Sequence, residues 1–313
     1  MRQSDACIRF LFAVNGCLVS QYCKFFIPPA SARLDQEHVM PRLNKIFVVI
    51  DPTTDHQSAL NNAAWMASQD SSVALHVYAA IYSTQDSSDL DALRRVELAR
   101  HRAWVETLLQ DLRAAGNEVT VEVEWNSDWR DAIAPAALRA EADLVVKSAS
   151  AHSTTGRRLL KTADWALLRH CHCPVYLIKR EHVDTGARVL LAVDVKRKDE
   201  IHSRLNQRIT EYGRLITQLV PDSQPYAVNA YANVDHFVSP AELAAEAGVP
   251  ESHAHTVEGP PEKLIPRVAD HVGASIVVIG TAGRDGIKAA LAGNTAEMVM
   301  DSLATNLLVV PAH

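Results

Sequence analysis

The sequence predicts an α/β protein built from two successive parallel sheets, each covered by helices on both faces. Two observations predict this fold class. Short apolar segments with branched side chains alternate with longer segments of helical periodicity, which is typical of a doubly wound parallel sheet. The pattern also occurs twice, because Lys45–Asp51 (KIFVVID) matches Arg188–Asp194 (RVLLAVD) as an apolar strand that ends in aspartate.

Two further matches extend the repeat. Ala142–Ser148 (ADLVVKS) matches Ala274–Gly280 (ASIVVIG), and Cys173–Lys179 (CPVYLIK) matches Thr305–Pro311 (TNLLVVP). We therefore expect two tandem domains, at residues 40–182 and 183–313. Each is expected to be a flavodoxin-like or Rossmann-like five-stranded parallel sheet of order 3-2-1-4-5, with right-handed crossovers.

The remaining elements follow from periodicity and from turn residues. In the first half we predict two strands and four helices, at Val73–Ala80, Glu118–Trp125, Ser58–Gln69, Leu90–Ala115, Trp129–Glu141 and Ala163–Cys171. In the second half we predict two strands and four helices, at Ala227–Tyr231, Ala254–Val257, Ile201–Val220, Pro240–Ala247, Pro261–Val272 and Thr295–Leu303.

Residues 1–39 differ from the rest. An apolar run, Phe10–Val19, follows two arginines, which resembles a signal-peptide core, but Asn15 interrupts it and it is too short to span a bilayer. We expect this extension to be a disordered tail or the product of a misassigned start codon, with Met40 as the true start.

Composition narrows the class of protein. The chain has 313 residues, 48% hydrophobic, with a formal net charge of -6, which fits a globular protein of roughly two domains. The absence of a long Lys/Arg run argues against direct nucleic-acid binding, and we expect no membrane association. The 5 cysteines do not form a spaced disulfide framework, so we expect a reducing compartment.

Three glycines near the C-terminus predict a phosphate-binding loop. The apolar strand that ends at Gly280 leads into Gly283 and Gly293, and the polar residues Asn294 and Thr295 follow. Glycine permits close backbone approach, and the free N–H groups at a helix start bind anions. The spacing is not that of a Walker A loop. The alternative is an ordinary βα loop with glycine caps.

Asp194 is expected beside this loop. In the order 3-2-1-4-5 the first and fourth strands are neighbours at the switch point, where ligands bind beyond the carboxyl ends of the strands. A carboxylate repels phosphate, so Asp194 would accept hydrogen bonds from an adenine amino group or a ribose hydroxyl. The alternative is an aspartate that caps its own loop.

The glycine spacing G-x2-G-x9-G followed by a small polar residue resembles the ATP-binding signature of universal stress proteins, with Asn294 where Ser or Thr is usual. Together with Lys147, His152 and the segment TADWALLRHCHCPV from Thr162, it resembles the tandem-domain E type over most of residues 43–312. The resemblance implies a cytoplasmic stress-response protein with unknown protein partners and an intramolecular pseudo-dimer. It also implies a site for ATP or a related adenine nucleotide, with these residues: Asp194, Ala230, Gly280, Gly283, Arg284, Gly293, Asn294 and Thr295.

The first half lacks the predicted loop, because Ser148 and Ala151 stand at the places of Gly280 and Gly283. We expect this half not to bind nucleotide. The two halves are expected to pair through their fifth strands, Pro174–Ile178 and Leu307–Val310, because such pairing covers two exposed sheet edges at once. Such a tandem would be mostly monomeric.

No catalytic motif stands out, so no catalytic residue is predicted. Weak ATP hydrolysis with Mg²⁺ held by Asp285 or Glu297 is one alternative to a regulatory role, as is nucleotidyl transfer. A nucleotide-independent interaction scaffold is another. Neighbouring side chains of the extended segment His170–Cys173 (HCHC) point to opposite sides, so the four residues cannot surround one ion. Two of them could bind a metal with His152 as a third ligand, but we predict that Cys171 packs at a helix end, that Cys173 begins the fifth strand, and that no metal is bound.

Overall fold

The computed structural model describes residues 41–83, 89–149, 163–180, 185–281 and 293–312. Each half is a parallel sheet with helices on both faces, as predicted. The first half contains β1 (Lys45–Val49), α1 (Ser58–Gln69), β2 (Ala74–Ile81), α2 (Leu90–Leu108), α3 (Gln110–Ala114), β3 (Val119–Trp125), α4 (Trp129–Arg139), β4 (Leu144–Ser148), α5 (Ala163–His170) and β5 (Val175–Ile178). The second contains β6 (Arg188–Ala192), α6 (Glu200–Leu219), β7 (Gln224–Tyr231), α7 (Pro240–Ala247), β8 (Ala254–Glu258), α8 (Pro261–Val272), β9 (Ile276–Thr281), α9 (Gly293–Ser302) and β10 (Asn306–Pro311).

The two sheets are joined edge to edge into one ten-stranded sheet of order β3-β2-β1-β4-β5-β10-β9-β6-β7-β8. Each half therefore has the predicted order 3-2-1-4-5. At the junction β5 and β10 run antiparallel, with Tyr176 opposite Leu308. These two residues occupy matching places in the repeat, so an approximate two-fold axis passes between them. The predicted pairing of the fifth strands is confirmed.

Buried apolar residues form one layer on each face of the sheet, and each layer contains residues of both halves. Val48 and Val189 share the layer under α1, α2, α6 and α7, while Phe47 and Leu190 share the layer under α4, α5, α8 and α9. Alternate residues of a strand point to opposite faces, which explains this division. Each of the two core layers thus continues from one half into the other.

Helix ends follow the expected capping chemistry. The Asp199 side chain accepts from the His202 N–H at the start of α6, and Ser239 and Glu242 form a capping box at the start of α7. Gly248 ends α7 in the left-handed conformation, with φ of 68°, which glycine adopts without a steric penalty. No helix in the described ranges is both long and apolar enough to cross a bilayer.

Several predicted boundaries were wrong. The long helix predicted over Leu90–Ala115 is divided at Leu109, which is fully buried but keeps helical backbone angles. The strand β7 begins at Gln224, three residues before the prediction, and contains Pro225. Finally, α9 begins at Gly293 and not at Thr295. Asn294 is therefore part of the first turn of the helix.

Candidate functional site

A cavity of about 350 Å³ opens at the carboxyl ends of β6, β7 and β9. It lies at the predicted switch point, because β6 and β9 are neighbours while the helices that follow them, α6 and α9, cover opposite faces of the sheet. Its volume is within the range of about 300–1,000 Å³ that is typical of small-molecule sites. The cavity is therefore the candidate site of the second half.

Three of the predicted site residues line this cavity: Asp194, Ala230 and Gly280. They come from β7, β9 and the residues just after β6. Gly293, Asn294 and Thr295 form the first turn of α9, where backbone N–H groups have no partner within the helix. Gly283 and Arg284 lie outside the described residues.

The backbone around Asp194 is held by two buried amide side chains. Asn206 of α6 accepts from the Asp194 N–H at 3.0 Å and donates to the Asp194 carbonyl at 2.8 Å. Asn229 of β7 accepts from the Val195 N–H at 3.0 Å. Because both amides are buried, these bonds fix the loop while the Asp194 carboxylate stays partly exposed at the cavity.

Polar side chains continue from Asp194 along the rim. Arg197 Nε lies 3.6 Å from the Asp194 carboxylate, and Arg197 Nη1 donates to His202 Nε2 at 3.0 Å. Arginine is only a donor, so Nε2 accepts and the proton of a neutral imidazole is on Nδ1. This Nδ1 lies 2.8 Å from the Asp199 carboxylate, and the hydrogen bond holds the pKa of Asp199 below its ordinary value.

The sequence did not single out Arg197, His202 or Asn206 as parts of this site. Asp199 caps α6 by accepting from the His202 N–H, and this backbone role gives no indication of a role for the imidazole. Asn206 is buried in a helix of otherwise amphipathic pattern. A buried amide on such a helix is a signal that sequence reasoning could have used.

Gly280 is explained by packing inside the protein. A Cβ at this position would lie 2.8 Å from Cδ2 of Leu205 on α6, and the φ of Gly280 is outside the left-handed region. A second glycine, Gly213, has the same role, because its Cβ would lie 2.4 Å from Leu191. Both glycines allow α6 to pack closely on the sheet and thereby shape the cavity wall.

In the first half, the matching aspartate is bound within its own loop. Asp51 Oδ1 accepts from the N–H and the hydroxyl of Thr53 at 2.9 and 2.6 Å. Gln57 has the role of Asn206, accepting from the Asp51 N–H and donating to its carbonyl. The capping role considered for such aspartates thus applies to Asp51.

A buried ion pair lies near the end of β4 in the first half. Lys147 Nζ is 2.7 Å from Asp164 Oδ1, and Asp164 is fully buried. The matching residues in the second half are Ile279, which lines the cavity, and Ala296. The first half therefore has two charged side chains that neutralise each other at the positions where the second half has two apolar side chains.

Glu297 does not have the role considered for it in the sequence. It was a candidate for holding Mg²⁺, but its carboxylate forms a two-point ion pair with Arg169 of α5. The Glu297 side chain is 7% exposed, so it is committed to the contact between the two halves. Asp285, the other candidate, lies outside the described residues.

The comparisons with known proteins agree with the repeat. The family model described as "Universal stress protein family" matches residues 42–179 and 188–311. The chain is 29% identical over 299 residues to Universal stress protein E of Escherichia coli strain K12, covering 87% of this chain and 95% of that protein. It is also 29% identical to the Universal stress protein E homolog of Haemophilus influenzae strain Rd, with 85% and 97% covered.

Solved structures are similar over both halves. A functionally unknown protein from Pseudomonas aeruginosa PAO1 has a TM-score of 0.72 and 28% identity, covering 88% of this chain and 94% of that chain. A universal stress protein from Archaeoglobus fulgidus DSM 4304 has a TM-score of 0.65 at 17% identity, with 86% and 96% covered, which indicates a shared fold.

Proposed function

We propose that this chain, which belongs to the universal stress protein family, binds ATP or a related adenine nucleotide in its C-terminal half. Occupancy of that site would regulate conformation or partner choice during a stress response in the cytoplasm. The observation that carries the proposal is the cavity at the ends of β6, β7 and β9, which brings Asp194, Ala230 and Gly280 together.

The charges around the cavity determine the orientation in which a nucleotide binds. The Asp194 carboxylate is an acceptor and repels phosphate, so it would face the base or the ribose. The phosphates would lie toward Gly280–Gly293 and the first turn of α9, whose unpaired N–H groups and helix dipole favour anions. Arg284 and Lys288 of this segment add positive charge.

The first half is proposed not to bind nucleotide. Its Asp51 carboxylate is already bonded to Thr53, and Lys147 and Asp164 neutralise each other near the end of β4. A nucleotide there would have to break an intramolecular hydrogen bond or a buried ion pair. The two halves of the repeat would therefore have different roles.

The position of α9 supports a regulatory role. Its first turn follows the glycine segment, and its next turn carries Glu297, which binds Arg169 of the first half. Phosphates held at the start of α9 would thus be one helical turn from the contact between the halves. We propose that nucleotide occupancy is transmitted to the first half along this helix.

Equilibrium titration with labelled ATP tests the proposal on the full chain. Asp194→Ala should weaken binding by about tenfold or more, the loss expected for a hydrogen bond to a charged acceptor. The matched variant Asp51→Ala should leave the affinity unchanged. Equal effects of the two variants would contradict the proposed site.

Competing ligands define what Asp194 contacts. An acceptor facing the adenine amino group disfavours GTP, which has a carbonyl oxygen at that place, whereas an acceptor facing the ribose disfavours 2′-deoxy-ATP. One of these two ligands should therefore compete poorly in the wild type, and the discrimination should disappear in Asp194→Ala. Rapid magnesium-dependent formation of ADP would instead support the enzymatic alternative.

A further inference from the structure

The turn between α5 and β5 brings three potential metal ligands together: Cys171, His172 and Cys173. Their donor atoms all lie within 4.8 Å of one another. The chain bends at His172 and Cys173, so the expectation that these side chains point to opposite sides of an extended segment was wrong. Both cysteines are free and buried.

We propose that this cluster is a binding site for a thiophilic divalent cation of the Zn²⁺ type. The ligands would be the two sulfurs and Nδ1 of His172, with water in the fourth position. The site lies at the amino end of β5. Because β5 runs antiparallel to β10, and β10 is parallel to β9 and β6, this is the same edge of the sheet as the carboxyl ends that form the cavity.

The spacing of the sulfurs fits tetrahedral coordination. Cys171 Sγ and Cys173 Sγ are 3.7 Å apart. Two thiolates bound to one tetrahedral zinc ion at about 2.3 Å are separated by about 3.8 Å. The sulfurs therefore need almost no movement to share an ion, and only the imidazole must approach more closely.

The imidazole is already oriented for binding. His172 Nε2 lies 3.2 Å from the carbonyl oxygen of Ala142, so Nε2 carries the proton and donates. Nδ1 then has a free lone pair, and this buried atom has no hydrogen-bond partner in the described part of the chain. A histidine that binds a metal through one nitrogen and a backbone carbonyl through the other is a common arrangement.

Charge balance favours a divalent ion. When both sulfurs bind as thiolates and the imidazole binds in its neutral form, M²⁺ replaces two protons of the cluster. The bound group M²⁺(S⁻)₂N then has no net charge, as the metal-free cluster has none. A neutral complex avoids the large cost of burying a net charge.

The second half provides an internal control. At the matching places it has Leu303, Ala304 and Thr305, and it forms the same connection between α9 and β10. The fold of this turn therefore requires neither thiols nor an imidazole. The cluster of Cys171, His172 and Cys173 occurs in the first half and not at the matching places of the second. A bound ion would link the end of α5 to the start of β5.

Cobalt spectroscopy tests the site. Cys7, Cys17 and Cys23 are first replaced by serine in the full chain, so that Cys171 and Cys173 are the remaining cysteines. Titration of this reduced protein with Co²⁺ should give one equivalent of sulfur-to-cobalt charge-transfer absorption, which Zn²⁺ should abolish by displacement. His172→Ala should weaken the affinity by at least about tenfold.

The matched control carries Cys171→Leu, His172→Ala and Cys173→Thr together. Because these are the residues of the second half, this variant should fold, as checked by circular dichroism, and should give no charge-transfer absorption. Absence of the band in the parent protein, or its persistence in the triple variant, would overturn the proposal.

Discussion

Arg169 of α5 and Glu297 of α9 form a two-point ion pair that joins the two halves of the chain. Arg169 Nη2 donates to Glu297 Oε2 at 2.5 Å, and Nε donates to Oε1. The hydrogen bonds to Glu297 raise the pKa of Arg169. The contact has a two-fold counterpart at the matching residues, where Trp165 Nε1 donates to Asp301 Oδ1 at 3.4 Å.

We expect Arg169→Ala to destabilise the protein by about 3–5 kcal/mol, because it leaves the buried Glu297 carboxylate without its partner. The midpoint and slope of urea unfolding measure this change. Arg100→Ala removes an exposed ion pair on α2, whose arginine side chain is 66% exposed, and should cost less than about 1 kcal/mol. Similar losses in the free energy of unfolding for both variants would contradict the claim that the Arg169–Glu297 pair stabilises the protein more than an exposed ion pair does.

Val309→Pro should loosen the junction between the halves. Val309 lies opposite Val175 in the antiparallel pair of β10 and β5, and proline removes a backbone donor from a central strand. Small-angle scattering should give a larger radius of gyration, and protease should separate the halves more rapidly. The wild type should be compact and mostly monomeric, so well-separated halves in the wild type would contradict this account of the junction.

Gly280→Ala should destabilise the second half by about 1–3 kcal/mol, the usual cost of overpacking. The added methyl group would press against Leu205, whose Cδ2 would be 2.8 Å away. Leu205→Ala in the same protein should recover part of the loss. Thermal unfolding of the single and double variants measures this coupling, and strict additivity of the two effects would refute the packing explanation.

Stability should fall as the pH drops below about 6.5, the ordinary pKa of histidine. Burial lowers the pKa of His76, and burial together with the charges of His271 and His253 lowers that of His255. The unfolded chain then binds protons that the folded chain does not, so these groups favour folding less as the pH falls. His255→Phe should reduce the loss of stability between pH 7.5 and 5.5 in urea unfolding, and an unchanged loss would contradict this explanation.

Much of the fold was predictable because strand and helix periods repeat. The residues Ser58, Pro240 and Pro261 were predicted as helix starts and are so in the structure. The start of β7 was missed because Pro225 is unusual in a strand with neighbours on both sides.

The site was predictable only in part. Asp194, Ala230 and Gly280 follow from strand ends and from the family resemblance, so their position along the chain is enough to bring them together. Arg197 and His202 join the site through side-chain contacts within the segment that follows β6, and Asn206 joins it through hydrogen bonds from α6 to the Asp194 backbone. The strand and helix periods alone do not predict these contacts. The sequence also did not predict that the Cys171 and Cys173 sulfurs lie close together, because their proximity depends on a bend in the backbone.

Gly283→Val should abolish ATP binding while the fold is kept, because a branched side chain would occupy the space that the phosphates need. If Gly283 has a positive φ, the substitution adds about 1–2 kcal/mol of backbone strain. Ala151→Val changes the matching residue of the first half and should leave ATP affinity intact. Normal affinity in folded Gly283→Val would show that this segment does not hold the phosphates.

The stoichiometry of ATP binding to the full chain tests the central claim most directly. Isothermal titration of ligand-free protein should give one site per chain, and Asp194→Ala, but not Asp51→Ala, should weaken that site. Two equivalent sites, no site, or a single site that depends on Asp51 would contradict a protein whose second half binds nucleotide while its first half does not.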